Sequence, residues 1–291
     1  MVMIADDVVA IDVHVHLDDE RARSVKPQRA KQMARYFGRD GAPVPVDEMA
    51  DAYRERNTVA VIMNSVDSTV TGRAGLPNDY IAEVVAKHPD VFIGFGVVDP
   101  WQGELAVQEV RRCRDLGLVG LGELNPARQH FYPNDPRFYR IWETAAELSM
   151  PVLFHGGYAA SGSGAPGGGG VKLKYAQPIH LDDVAADIPE LTMICAHPSW
   201  PWESEALAIA LHKPNVYIDL SGWAPKYMSA EVRQYVNSRI QNKALFGSDW
   251  PALDVDRWRR EFSELGLKPE VERKVLLDNA KALFAKVEQA T

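Results

Sequence analysis

Along this 291-residue chain, short apolar runs rich in β-branched residues alternate eight times with segments of helical character. The runs span residues 8–16, 58–64, 91–98, 118–124, 151–155, 191–197, 215–220 and 244–248, and they read as buried strands. Helices are expected over 47–56, 78–88, 104–116, 135–149, 181–188, 202–212, 230–241, 254–265 and 269–285. Asn78 is placed to cap one of them and Gly117 to end the next. Strands alternating with helices imply right-handed parallel crossovers, and eight such units imply a closed (β/α)8 barrel, which typically takes about 250 residues. An open doubly wound sheet is the competing fold, but no GxGxxG follows the first strand. A single domain over residues 1–291 is the expectation.

Hydrophobic residues make up 46% of the chain, enough for a large core. A net charge of −8 argues against a nucleic-acid or anionic-membrane surface. Asp6 and Asp7 interrupt the N-terminus before an apolar run of signal-peptide length. No apolar stretch approaches the roughly 20 residues of a membrane span. Cys113 and Cys195 have no metal-type spacing and suit a reducing compartment, with Cys195 a small core residue. A cytoplasmic protein is expected.

The catalytic face of such a barrel lies at the C-terminal ends of its strands. Those ends carry His14 and His16, Asn64, Asp99, Glu123, His155, His197, Asp219 and Asp249, so four of the eight histidines sit there. Strict alternation along the first strand puts Asp12, His14 and His16 on one face. Two imidazoles on one face of a strand can share a metal ion, and the bland alternative is a pair of satisfied core histidines. Residues 17–41 are rich in Arg and Lys and read as a lid or binding loop, or as a solvated charged face. The Gly/Ser-rich stretch 161–170 is either an exposed tip or a lid carrying Lys172 and Lys174 over an anionic substrate. Arg128, Arg73 and Lys226 in other strand-end loops could add positive charge. Phe131, Tyr132, Trp200, Trp202, Trp223 and Trp250 crowd the same rim and fit a flat aromatic or acyl substrate.

HxH on the first strand, single histidines ending strands five and six, and Gly247-Ser248-Asp249-Trp250-Pro251 at strand eight together resemble the amidohydrolase superfamily. Phe154-His155-Gly156-Gly157, Ala196-His197-Pro198 and Asp278-Asn279-Ala280-Lys281-Ala282-Leu283-Phe284 narrow the resemblance to its amidohydrolase-related branch. That branch contains aminocarboxymuconate semialdehyde decarboxylase, γ-resorcylate decarboxylase and several hydrolases. The resemblance implies His14, His16, His155 and Asp249 as ligands of one divalent ion. Zn2+ is the first expectation and Mn2+ the second. It also implies His197 and Asp249 as the groups that move protons. Gly122-Glu123 replaces a Lys-containing motif usual in the decarboxylases, and resembles the TatD-type nucleases, where the Glu touches the metals. Glu123 is therefore a candidate further ligand, bridging a second ion, or a carboxylate bonded to a barrel neighbour.

Ser221-Gly222-Trp223-Ala224-Pro225-Lys226-Tyr227 is similar to hydrolases of 4-hydroxyphenyl-β-ketoacyl-CoA thioesters. Hydrolysis of a carbonyl or thioester in aromatic-compound breakdown is thus the first functional expectation. Its substrate is anionic, an acyl-CoA included, with Lys172, Lys174, Arg128, Trp223 and Lys226 as candidate contacts. Non-oxidative decarboxylation of the aminocarboxymuconate or resorcylate type is the alternative, and a metal-free scaffold the third. Family habit implies a homodimer.

Overall fold

The computed structural model describes residues 4–39 and 41–289. Its strands are β1 (Ala10–His16), β2 (Thr58–Met63), β3 (Phe92–Gly96), β4 (Gly120–Leu124), β5 (Val152–His155), β6 (Met193–Ala196), β7 (Val216–Asp219) and β8 (Ala244–Leu245). They pair in chain order, and every pair is parallel. The ring closes where the chain beyond β8 meets β1. Val13 N–H donates to Phe246 O at 2.9 Å, Asp249 N–H to His14 O at 2.9 Å, and His16 N–H to Trp250 O at 2.7 Å. The (β/α)8 barrel expected from the alternation is the fold found.

Both faces of each strand are buried, which explains the continuous apolar runs. Ile11, Val61, Ile93, Phe95, Leu153 and Ile194 fill the interior, and Leu283 and Phe284 of the C-terminal helix (Asn279–Gln289) pack with them. The rings of Phe95 and Phe284 meet edge to face at 6.2 Å between centroids. Cys195 is a buried core residue. No described helix is long and apolar enough to cross a membrane.

Three helices separate β1 from β2: α1 (Glu20–Val25), α2 (Pro27–Tyr36) and α3 (Val46–Glu55). The charged segment 17–41 is therefore largely helical. Asp19 caps α1 by accepting from the backbone of Arg21 and Ala22, and Pro27 opens α2. From α2, Gln32 donates to the carbonyls of Ala160 and Ser163, at 3.2 Å each, and accepts from Gly162 N–H at 3.0 Å. These bonds clamp the Gly-rich loop against α2. Gly167, Gly168 and Gly169 hold φ near +60°, a left-handed run that accounts for the glycines.

Two local expectations fail. Asp12 pairs with Ala60 but Val15 with Ile62, three residues against two, so β1 carries a bulge that breaks strict alternation. Asp12 consequently does not share a face with His14 and His16. Its carboxylate turns to α3 and accepts from Tyr53 Oη at 3.0 Å, Ser248 Oγ at 2.6 Å and Ser248 N–H at 2.8 Å. Asn78 does not cap its helix, which begins beside Pro77. Its side chain instead clasps Val97, donating to the carbonyl and accepting from the N–H at 2.9 Å each.

Candidate metal centre

The barrel brings His14, His16, Glu123, His155, His197 and Asp249 to one mouth. Nε2 of His14 and Nε2 of His16 lie 3.2 Å apart, 3.7 and 3.4 Å from Asp249 Oδ1. Across from them, Glu123 Oε1 meets His155 Nδ1 at 2.5 Å and Glu123 Oε2 stands 3.8 Å from His16 Nε2. His197 Nε2 lies 3.0 Å from His155 Nδ1 and 3.8 Å from Glu123 Oε1. Two overlapping triads, His14/His16/Asp249 and His14/Glu123/His197, each keep their donor atoms within 4.8 Å of one another.

Residues around the cluster hold these rings in place. Asp219 Oδ2, at the end of β7, is 2.7 Å from His14 Nδ1, with both side chains sealed from solvent. Ser221 Oγ donates to Asp219 at 2.6 Å and lies 3.1 Å from His14 Nδ1 and 3.0 Å from His197 Nδ1. A Cβ at Gly222 would fall 2.5 Å from His197 Nδ1, so only glycine lets that loop pass the ring. His197 and Asp249 both sit at positive φ, 68° and 58°, where the strand ends turn into loops.

The electrostatics point to a cation. Burial opposes charge on His14, yet the hydrogen bond and charge of Asp219, with the charges of Asp249 and Glu123, push its pKa up to about 10. Burial also opposes ionisation of Glu123, and the adjacent His155 nevertheless holds it well below the usual carboxylate range. Carboxylates this deep require a positive partner. A divalent ion would supply that charge and leave the imidazoles that ligate it neutral. His155 Nε2 is buried and has no hydrogen-bond partner among the described residues. Imidazole nitrogens and carboxylate oxygens suit Zn2+ and Mn2+ alike, so the residues fit such a group.

Of the other sequence candidates, Trp223 lines the cavity in front of the cluster together with Arg29, Phe37 and Tyr158. Lys172 and Lys174 are exposed and line none of the cavities at the mouth. Lys226 is exposed over the Tyr227 ring, 3.9 Å from Glu261. Arg128 is buried in an ion pair with Asp67 and donates to Ser65 Oγ at 3.1 Å, facing a side chamber. Arg73 lines the same chamber. Phe131 is core, packed on Phe138 and Trp142, rather than rim. Asp99 accepts from Ser68 and Thr69 and stands outside the cluster. Sequence reasoning missed the roles of Ser221 and Arg29, and named Asp219 only as a strand-end residue. The basic composition of 17–41 was the sole signal for Arg29.

A parallel eightfold barrel with histidines and carboxylates converging at its mouth defines a metal-site barrel enzyme. The amidohydrolase family model matches residues 11–286, and the chain belongs to that family, whose superfamily uses a divalent metal. γ-Resorcylate decarboxylase of Polaromonas sp. (strain JS666 / ATCC BAA-500) is 33% identical over 103 residues, 33% of this chain and 31% of that protein. The matched stretch thus spans under a third of the curated relative. An uncharacterised TIM-barrel protein of Bordetella bronchiseptica superposes with a TM-score of 0.77 at 23% identity, covering 96% of this chain and 99% of that one. A dihydroxybenzoic acid decarboxylase of Polaromonas sp. JS666, with bound manganese and 2-nitroresorcinol, gives 0.63 at 19%, covering 95% and 96%. A Pseudomonas putida protein described as a 2-pyrone-4,6-dicarboxylic acid hydrolase also gives 0.63 at 19%, covering 96% and 98%. At these identities the structures speak to the fold.

Proposed function

We propose that the protein is a metal-dependent decarboxylase that releases CO2 from a small aromatic or unsaturated carboxylic acid without an oxidant. The observation that carries this reading is Arg29, which faces the same cavity as His16, Glu123, His155, His197 and Asp249. A fixed cation opposite a metal-type cluster suits a carboxylate held between them. The decarboxylase names of the curated relatives support this alternative over the hydrolysis that the short motifs first suggested.

His14, His16, His155 and Asp249 are the residues that would hold the ion, with Glu123 beside them. When bound, the ion supplies a positive centre for substrate oxygens and stabilises charge that develops on them. In the reaction the bond from the substrate carbon to the carboxyl carbon breaks. Its electron pair stays on the substrate, and that carbon takes up one proton. His197 borders the cavity and is placed to donate this proton, its ring fixed by Ser221. Burial opposes the imidazolium, but Glu123 and Asp249 raise the His197 pKa and favour its protonated form. Asp249 can return the proton from solvent. Phe37 and Trp223 line the cavity, which measures about 330 Å3, and offer apolar surface to a ring.

The test is a set of carboxyl-13C-labelled hydroxybenzoic acids, with labelled CO2 measured after loading with Zn2+ or Mn2+, beside free-thiol release from aryl-acyl-CoA esters. CO2 from at least one acid is the expected result. Thiol release with no CO2 from any acid would restore hydrolysis.

A further inference from the structure

Beside the metal-type cluster lies a second chamber of about 540 Å3, lined by Lys26, Arg29, Asp67, Arg73 and Arg128. Its charges do not balance. Lys26 Nζ donates to Asp67 Oδ1 at 2.8 Å and to Ser65 O at 3.0 Å, and Arg128 pairs with the same Asp67. Arg29 and Arg128 both donate to Ser65 Oγ, at 2.6 and 3.1 Å. Arg29 makes no ion pair with any described carboxylate. Lys26 and Arg128, only 13% and 6% exposed as side chains, therefore share one carboxylate, while Arg29 beside them is answered by Glu123 and Asp249 as well as by Asp67.

Unbalanced buried cations are costly unless something answers them. Burial and the neighbouring arginines push Lys26 down to about 8, which reflects that cost. Arg29 lines both this chamber and the cavity in front of the cluster, so one ligand can span the two.

We propose that the substrate carries a second anionic group, and that Lys26 and Arg128 bind it in the side chamber while its first carboxylate lies between Arg29 and the metal-type cluster. This rests on the decarboxylase reading for the first carboxylate alone. The second group is a carboxylate or a phosphate, since both accept bidentate and charge-assisted bonds from arginine and lysine.

The experiment compares dissociation constants of isophthalate and benzoate on metal-loaded protein by calorimetry, in wild type, Lys26→Met and Lys26→Arg. Wild type is expected to prefer isophthalate by tenfold or more. Lys26→Met should cut that preference roughly 10- to 100-fold, the range for one lost charge-assisted hydrogen bond. Lys26→Arg should keep most of it, which separates charge from folding damage. Coenzyme A is added as a competitor. Displacement that depends on Lys26 assigns a phosphate, and its absence a second carboxylate. Equal affinity for the two benzoates, or a preference indifferent to Lys26→Met, overturns the proposal. Preserved isophthalate preference in a protein that releases no CO2 overturns only the decarboxylase reading.

Discussion

His14 and Asp219 belong to strands that do not neighbour each other in the barrel, yet Nδ1 and Oδ2 meet at 2.7 Å in a site closed to solvent. The bond fixes the imidazole so that Nε2 faces His16 and Asp249. A carboxylate behind a ligating histidine orients the ring and raises its basicity, and its loss typically costs about 10- to 100-fold in metal affinity. Asp219→Asn should show a loss of that size when Zn2+ is titrated against a competing chelator. Unchanged affinity would remove Asp219 from the metal site.

His14→Ala and Asp249→Asn should each abolish turnover and lower bound metal while leaving far-UV circular dichroism as in wild type. The clustered donors predict this, because the first substitution removes a nitrogen within 4.8 Å of the others and the second removes the negative charge of their carboxylate. Full activity in either variant would sink the site assignment.

Lys26 sets a pH limit. Its pKa falls from 10.5 to about 8 in the fold, through burial first and then the charges of Arg128 and Arg29, against the pull of Asp67. Below about 8 the ammonium is charged, and anion binding in the side chamber should be strongest there. As pH rises through about 8 the charge is lost and KM should climb. Stability runs the other way. Between about 8 and 10.5 the unfolded chain binds the proton that the folded chain has released, so this group's contribution to stability rises with pH in that window. KM and denaturant midpoints measured from pH 7 to 10 on wild type and Lys26→Met check both signs.

Gln32 ties α2 to the Gly-rich loop through three hydrogen bonds. Gln32→Ala should speed proteolytic cleavage within residues 161–170 several-fold, because the loop opens locally. The melting temperature should move by less than about 3 °C, since surface-side bonds contribute only about 1 kcal/mol. A large melting shift with unchanged cleavage would place the role of Gln32 in the global fold instead.

Phe284 is buried against Phe95 among the barrel's interior residues. Phe284→Ala should destabilise by about 3–5 kcal/mol in urea unfolding, with metal affinity retained. A smaller loss would mean that the cavity left behind collapses.

Much of this was legible in the residue order. Strand and helix types follow from local periodicity, and a barrel whose helices cover every strand imposes continuous apolar runs that are easy to read. Histidines at the ends of β1, β5 and β6 were visible because strand ends are known once strands are. Element edges were less legible. The helix expected over 269–285 contains a wider turn at Lys274–Asp278, and that over 230–241 stops at Val236. Such breaks answer packing rather than local propensity.

The sequence by itself determined an eightfold alternation and the residue types that converge at one end of it, because both depend on spacing along the chain. Only the tertiary structure decided that a bulge turns Asp12 away from the histidines, that Asp219 and Ser221 seat His14, and that Lys172, Lys174 and Lys226 stay at the surface. It also decided that Lys26 and Arg128 share Asp67 and that Arg29 meets Arg128 at Ser65. Those outcomes hang on where side chains from distant segments meet and on the cost of burying their charge, and no spacing rule carries either.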